Sequence, residues 1–64
     1  MLPLVNIQIM EGRSPEKIEA LLENVTNTIM ETLDAPRQNV RVIVQEIPKT
    51  HWGIGGASAE KLGR

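Results

Sequence analysis

One apolar stripe, set between a helix-starting and a helix-stopping signal, constrains this chain more than any other feature. Ser14-Pro15-Glu16 is the start. Serine caps orphan N–H groups, proline in the first turn has a preset φ, and glutamate meets the positive helix end. Ile18, Leu21, Leu22, Val25, Ile29 and Leu33 then recur at helical spacing, while Glu16, Glu19, Glu23, Asn27 and Glu31 fall off the stripe. Asp34-Ala35-Pro36 predicts the stop, because the residue before a proline avoids helical angles. Before the helix, Val5, Ile7 and Ile9 alternate with Asn6 and Gln8, which predicts a strand over Leu4 to Met10 opened by Pro3. After it, Asn39 to Ile47 reads as a second strand. Val40, Val42 and Val44 share one face, Arg41, Ile43 and Gln45 share the other, and Pro48 ends the run.

A strand, a long helix and a strand make one β-α-β unit of the α/β class, with parallel strands and a right-handed crossover. The turn-rich segment Lys49 to Gly56 predicts a short C-terminal hairpin, and Ser58 to Leu62 a single helical turn. Residues 1–64 are expected to form one domain. The helix should cover Val5, Ile7, Val42 and Val44, which leaves Asn6, Gln8, Arg41 and Ile43 without cover inside the chain. A domain of 64 residues buries only about 60% of the surface its unfolded chain exposes. With no cysteine there is no disulfide framework and no thiolate zinc site, and one histidine cannot build a metal cluster. Other copies are therefore expected to supply the missing core.

Composition excludes several functions. Seven basic residues stand against eight acidic ones, and the only aromatic is Trp52, so neither the charge nor the stacking groups of a nucleic-acid binder are present. No apolar run approaches the ~20 residues of a membrane span. The start Met1-Leu2-Pro3-Leu4-Val5 lacks a basic n-region, which makes the cytoplasm the expected compartment.

Five motifs in order carry a family resemblance. They are Pro3 at the first strand, Glu11-Gly12-Arg13-Ser14 before the helix, Leu33-Asp34-Ala35-Pro36 after it, Val40-Arg41-Val42-Ile43, and His51-Trp52-Gly53-Ile54-Gly55-Gly56. Together they span nearly the whole chain, which resembles the 4-oxalocrotonate tautomerase family. The resemblance implies β-α-β units assembled as trimers or hexamers. It implies isomerase chemistry on an unsaturated 2-hydroxy/2-oxo dicarboxylic acid of the 2-hydroxymuconate type, a product of aromatic ring cleavage. No metal or organic cofactor is implied. By the same resemblance Pro3 matches the catalytic proline, Arg13 and Arg41 the two arginines that hold the carboxylate and oxo groups, and Trp52 a phenylalanine that makes the pocket apolar.

These roles are physically coherent. Guanidinium forks suit a planar dicarboxylate. A fixed cation stabilises the negative charge that builds on the oxo oxygen. An apolar wall disfavours a charged amine and so improves it as a base near neutral pH. The sequence departs from the family at one point: Met1 and Leu2 precede Pro3, so the proline nitrogen is an amide without basicity. Three readings stand. The chain is a weakened tautomerase that uses another base, with the Met1 amine as candidate. It is a non-catalytic member that binds an anionic ligand or partners another subunit in a hetero-oligomer. Or the cellular start differs and frees the proline.

Each residue also has a plainer reading. Arg13 beside a helix cap is an ordinary surface arginine. Arg41 within the second strand suits a salt bridge across a subunit interface, and Trp52 suits burial there. His51 in a turn reads as exposed, and Gly53-Ile54-Gly55-Gly56 as a tight turn, since the spacing of a nucleotide loop is missing.

Overall fold

The computed structural model describes residues 2–64. Strand β1 (Leu4–Met10) and strand β2 (Arg41–Ile47) pair in parallel, in a register running from Leu4↔Arg41 to Met10↔Ile47. Helix α1 (Pro15–Leu33) connects them. Period-two alternation sorts both strands. Val5, Ile7, Val42 and Val44 are half-buried on one face; Leu4, Asn6, Gln8, Arg41, Ile43 and Gln45 are exposed on the other.

The helix begins where its signals lie. Ser14 is extended, and its side chain accepts the Lys17 N–H at 3.3 Å. It ends on Asp34, at φ 57 and ψ 38, rather than on the residue before the proline. Aspartate tolerates this left-handed conformation better than most residues. Pro36 then opens a 3-10 turn over Arg37–Asn39, closed by Asn39 N–H to Pro36 carbonyl at 3.0 Å and Val40 N–H to Arg37 carbonyl at 3.1 Å. That turn takes up the first residues expected in the second strand, so β2 starts at Arg41. The Arg37 guanidinium also donates to the Asn27 side chain, which ties the turn to the helix.

Beyond Pro48 a second 3-10 turn, Lys49–His51, leads to a hairpin of β3 (Gly53–Ile54) and β4 (Ala57–Ser58). Gly55 and Gly56, at φ 60 and 95, form its two-residue loop; positive φ at both positions is what such a loop requires. Ser58 joins β4, and the single helical turn expected over Ser58–Leu62 follows directly from it. In it, Leu62 N–H bonds the Ser58 carbonyl at 3.1 Å and Lys61 N–H bonds Ser58 Oγ at 3.1 Å.

The core is slight. Ala35, Val40 and Ala59 are the buried apolar residues among those described, and no large side chain is fully buried. Every stripe residue of α1 keeps some exposure, and Leu33 and Ile43 remain 43% and 51% exposed. A compact chain of this length has a radius of gyration of about 11 Å. This one measures 14.8 Å, with extents of 43 × 24 × 14 Å. Such a shape leaves the mixed face of Leu4, Asn6, Gln8, Arg41, Ile43 and Gln45 uncovered and both edges of the β1–β2 sheet unpaired among the described residues.

Candidate active site

The candidate residues fall at opposite ends of the β1–β2 sheet. At the C-terminal end, Glu11 N–H bonds the Ile47 carbonyl at 2.9 Å and extends the ladder by one step. Gly12 then turns the chain at φ 122, a conformation glycine adopts without strain. Arg13 follows, and its guanidinium donates to the Met10 carbonyl at 3.1 Å. Trp52 reaches the same end from the other direction, carried by the turn after Pro48. Hydrogen bonds to the rest of the chain hold that turn. Glu11 Oε1 accepts the Lys49 N–H at 3.2 Å, and the Trp52 carbonyl accepts the Ala59 N–H at 2.7 Å.

Arg13 and half-buried Trp52 line one open cavity of about 930 Å³. Ile9 and Met10 give it apolar wall. Lys17, Lys49 and Arg64 add three cations, and Glu11 is the one carboxylate among the described lining residues. Guanidinium and ammonium groups beside an indole favour a small organic anion. A second cavity of about 300 Å³ lies on the Gln8, His51 and Gly53 side of Trp52. His51 is exposed there, as its turn position suggests.

At the N-terminal end of the sheet, Arg41 N–H bonds the Pro3 carbonyl at 2.9 Å, and Arg41 stands opposite Leu4. Arg41 opens β2 instead of lying within it. It is exposed, so no partner is needed to offset burial, and its guanidinium donates to the Gln38 carbonyl. Its side chain belongs to the uncovered face, with Ile43 and Gln45. On that face Gln8 also donates to Gln45 at 3.2 Å, a bond made within the chain. Pro3 is half-exposed, and its nitrogen is bonded to Leu2. The Met1 amine lies outside the described residues.

One chain thus joins Arg13 to Trp52 and Pro3 to Arg41, but keeps the two pairs apart. Seven strand residues at about 3.3 Å each separate the ends by roughly 20 Å, more than one small acid can span. Sequence reasoning missed Lys17, Lys49, Arg64 and Glu11. Only Lys17 carried a local signal, because a capping box would place glutamate or glutamine there.

Residues 3–62 match the family described as Tautomerase enzyme. A 2-hydroxymuconate tautomerase from Stutzerimonas stutzeri is 51% identical over 63 residues, covering 98% of this chain and all of that relative. Among solved structures, the fold is similar to one from a study of the 4-oxalocrotonate tautomerase isozymes of Methylibium petroleiphilum. The TM-score is 0.90 and the identity 48%, over 97% of this chain and 100% of the other. It is also similar to a heterohexamer 4-oxalocrotonate tautomerase from Chloroflexus aurantiacus, with a TM-score of 0.87 and 38% identity, over 94% and 97% of the two chains.

Proposed function

The chain belongs to the tautomerase family, and from that premise we propose that it is an isomerase of 2-hydroxymuconate or a closely related unsaturated dicarboxylate. The observation that carries this reading is the full-length likeness to a 2-hydroxymuconate tautomerase, at 51% identity. The base takes the proton of the 2-hydroxyl. Its O–H electrons form the C2 carbonyl, the double bonds shift to C3=C4, and C5 takes a proton. The product is a conjugated 2-oxo acid, with no net change in atoms or electrons. No step calls for a redox partner. The reading places this chemistry in the cytoplasm, in one domain over residues 1–64.

Arg13 and Arg41 are assigned to the anionic oxygens, Trp52 to the apolar wall and Pro3 to the proton transfer. Their separation within one chain makes the site a property of the oligomer, a trimer or hexamer on this reading. A two-fold axis pairing two copies edge to edge runs their strands antiparallel. The Pro3 end of one sheet then meets the Arg13–Trp52 end of the other. Arg41, on the uncovered face, is free to reach a further copy. The elongated shape and slight core support assembly of this kind.

The Leu2–Pro3 bond sets the condition. Proton transfer at Pro3 needs a free secondary amine, so activity is weak in the chain that retains Leu2. A second reading rests on that same bond: the chain supplies Arg13 and Trp52 to sites whose base comes from a different subunit. The heterohexameric relative is a precedent for mixed assembly. Ultraviolet absorbance during ketonisation of 2-hydroxymuconate tests the proposal. The chain with Met1 confirmed by mass is compared with a variant lacking Leu2, in which processing exposes the proline. Turnover by the second and little by the first is the expected result. No turnover by either, in a folded oligomer, rejects the isomerase reading.

A further inference from the structure

Glu11 is out of place by charge. It lines the cavity beside Arg13, Lys17, Lys49 and Arg64, and it is the one carboxylate among the described lining residues. A carboxylate repels the organic anion that those cations favour. A residue that breaks a local rule at a site has a compensating task there, and the bonds of Glu11 show one.

Glu11 joins two elements through two of its groups. Its N–H bonds the Ile47 carbonyl at 2.9 Å, which fixes its backbone to the end of the β1–β2 sheet. Its Oε1 accepts the Lys49 N–H at 3.2 Å. Lys49 opens the 3-10 turn Lys49–His51, whose cap position is Pro48 and makes no side-chain cap bond. A proline side chain has no acceptor, so this N–H is satisfied from 38 positions away. Trp52 closes the same turn. On its far side the turn is tied to the C-terminal segment. There the Trp52 carbonyl accepts the N–H of fully buried Ala59, and the Lys49 carbonyl accepts the Glu60 N–H. On its near side, among the described residues, Glu11 makes the one hydrogen bond between the turn and the segment 11–14 that carries Arg13.

We infer that Glu11 is a positioning residue for the proton transfer: by tying the Lys49 turn to the end of β1, its carboxylate holds the Trp52 wall across the cavity from Arg13. It acts through Trp52 and touches no reacting atom. This rests on the tautomerase reading for the reaction that the wall serves. The hold on Trp52 stands on the bonds themselves.

Trp52 is the only tryptophan. Quenching of its fluorescence by acrylamide, a neutral probe that the cations do not attract, reads the wall without any turnover. Glu11→Ala removes the acceptor. Glu11→Gln keeps an acceptor oxygen at the same reach, with no charge and no carboxylate to take a proton. Glu11→Asp keeps the charge but is shorter by one methylene. Each is made in the full chain for quenching and in the variant lacking Leu2 for kinetics, with circular dichroism and size-exclusion chromatography to confirm fold and assembly. Glu11→Ala and Glu11→Asp are expected to raise quenching about twofold and to lower kcat for 2-hydroxymuconate about fivefold, the weight of one hydrogen bond to a charged acceptor. KM should move by less than about twofold. Glu11→Gln should quench like wild type and keep at least about half of kcat.

A carboxylate acting by its charge alone would give the opposite split. Glu11→Ala would then lower KM by removing a repulsion, and Glu11→Asp would match wild type; that result overturns the inference. So does quenching that neither Glu11→Ala nor Glu11→Asp changes, raised quenching with kcat intact, or a Glu11→Gln as impaired as Glu11→Ala. If Glu11→Ala does not assemble, the contrast between Glu11→Asp and Glu11→Gln decides in the same way. If quenching rises as stated but 2-hydroxymuconate is not turned over even with the proline free, the isomerase reading fails and the hold of Glu11 on Trp52 stands.

Discussion

The two ends of the β1–β2 sheet do different work with the same strands. At the Pro3 end the backbone is in register, Arg41 is exposed and held by a neighbouring carbonyl, and none of the described cavities includes either residue. At the Arg13 end a glycine turn, a helix cap and a 3-10 turn close around a concave, cationic surface. The first end presents its groups outward; the second is a receptacle. Their difference supports the proposal that other copies cover the open face and free edges and complete the site.

The strongest way to break this comparison is to change the Pro3 end alone. Removing Leu2, so that the proline nitrogen is free, should raise the turnover of 2-hydroxymuconate by about 100-fold or more, the usual contribution of a positioned general base. The ultraviolet assay reads this directly, and equal rates would remove Pro3 from the chemistry.

The arginines come next. In the proline-exposed background, Arg41→Ala should lower kcat by about 100-fold if that cation meets the developing oxyanion. Arg13→Ala should act mainly on KM, by about tenfold, as the loss of a charge-assisted contact to a carboxylate present throughout the reaction. Identical effects on kcat and KM for both variants would erase the distinction between the ends.

Smaller effects sharpen the receptacle. Glu11→Ala removes the acceptor that ties the Lys49 turn to the end of β1. A hydrogen bond to a carboxylate at an exposed site stabilises by about 1 kcal/mol, so thermal stability should fall modestly while Trp52 emission changes with the loosened turn. Glu11→Gln should keep most of that bond. Gly56→Ala is a purely local test. No atom lies within 4 Å of the added Cβ, and φ is +95, so the cost is backbone strain alone. A loss of about 1 kcal/mol in denaturant unfolding is expected, with no effect at the Pro3 end.

Much of the fold was legible because its signals are local. Ser14-Pro15 starts the helix, alternation marks β1, and Gly55-Gly56 marks the hairpin loop. The differences arise where two local preferences compete. Asn39 and Val40 suit a strand, but Pro36 presets a 3-10 turn whose bonds use their N–H groups. Ser58 serves both preferences: its backbone pairs with Gly53 in β4 while its Oγ caps the Lys61 N–H of the following turn. Of the candidate site, Arg13, Arg41 and Trp52 stood out through the family motifs. That Arg13 and Trp52 line one cavity was not, because it depends on the Glu11–Lys49 bond that bridges 38 positions of sequence. Lys49 and Arg64 carry no local signal in the sequence, and only folding brings them to the same cavity.

The central claim is that Pro3 and Arg13 of one site belong to different copies. Two weak variants test it together: Arg13→Ala with a free proline, and the unaltered chain in which Leu2 blocks the proline. They are unfolded, mixed in equal amounts and refolded. Random assembly should place a free proline beside an intact Arg13 in about a quarter of the sites. With substrate held well below KM, where Arg13→Ala alone keeps about a tenth of full activity, turnover should then rise to about that quarter of the fully equipped enzyme, above either variant refolded alone. A refolded mixture no more active than the average of its parents would mean that each site draws both residues from one chain, and the account would be wrong.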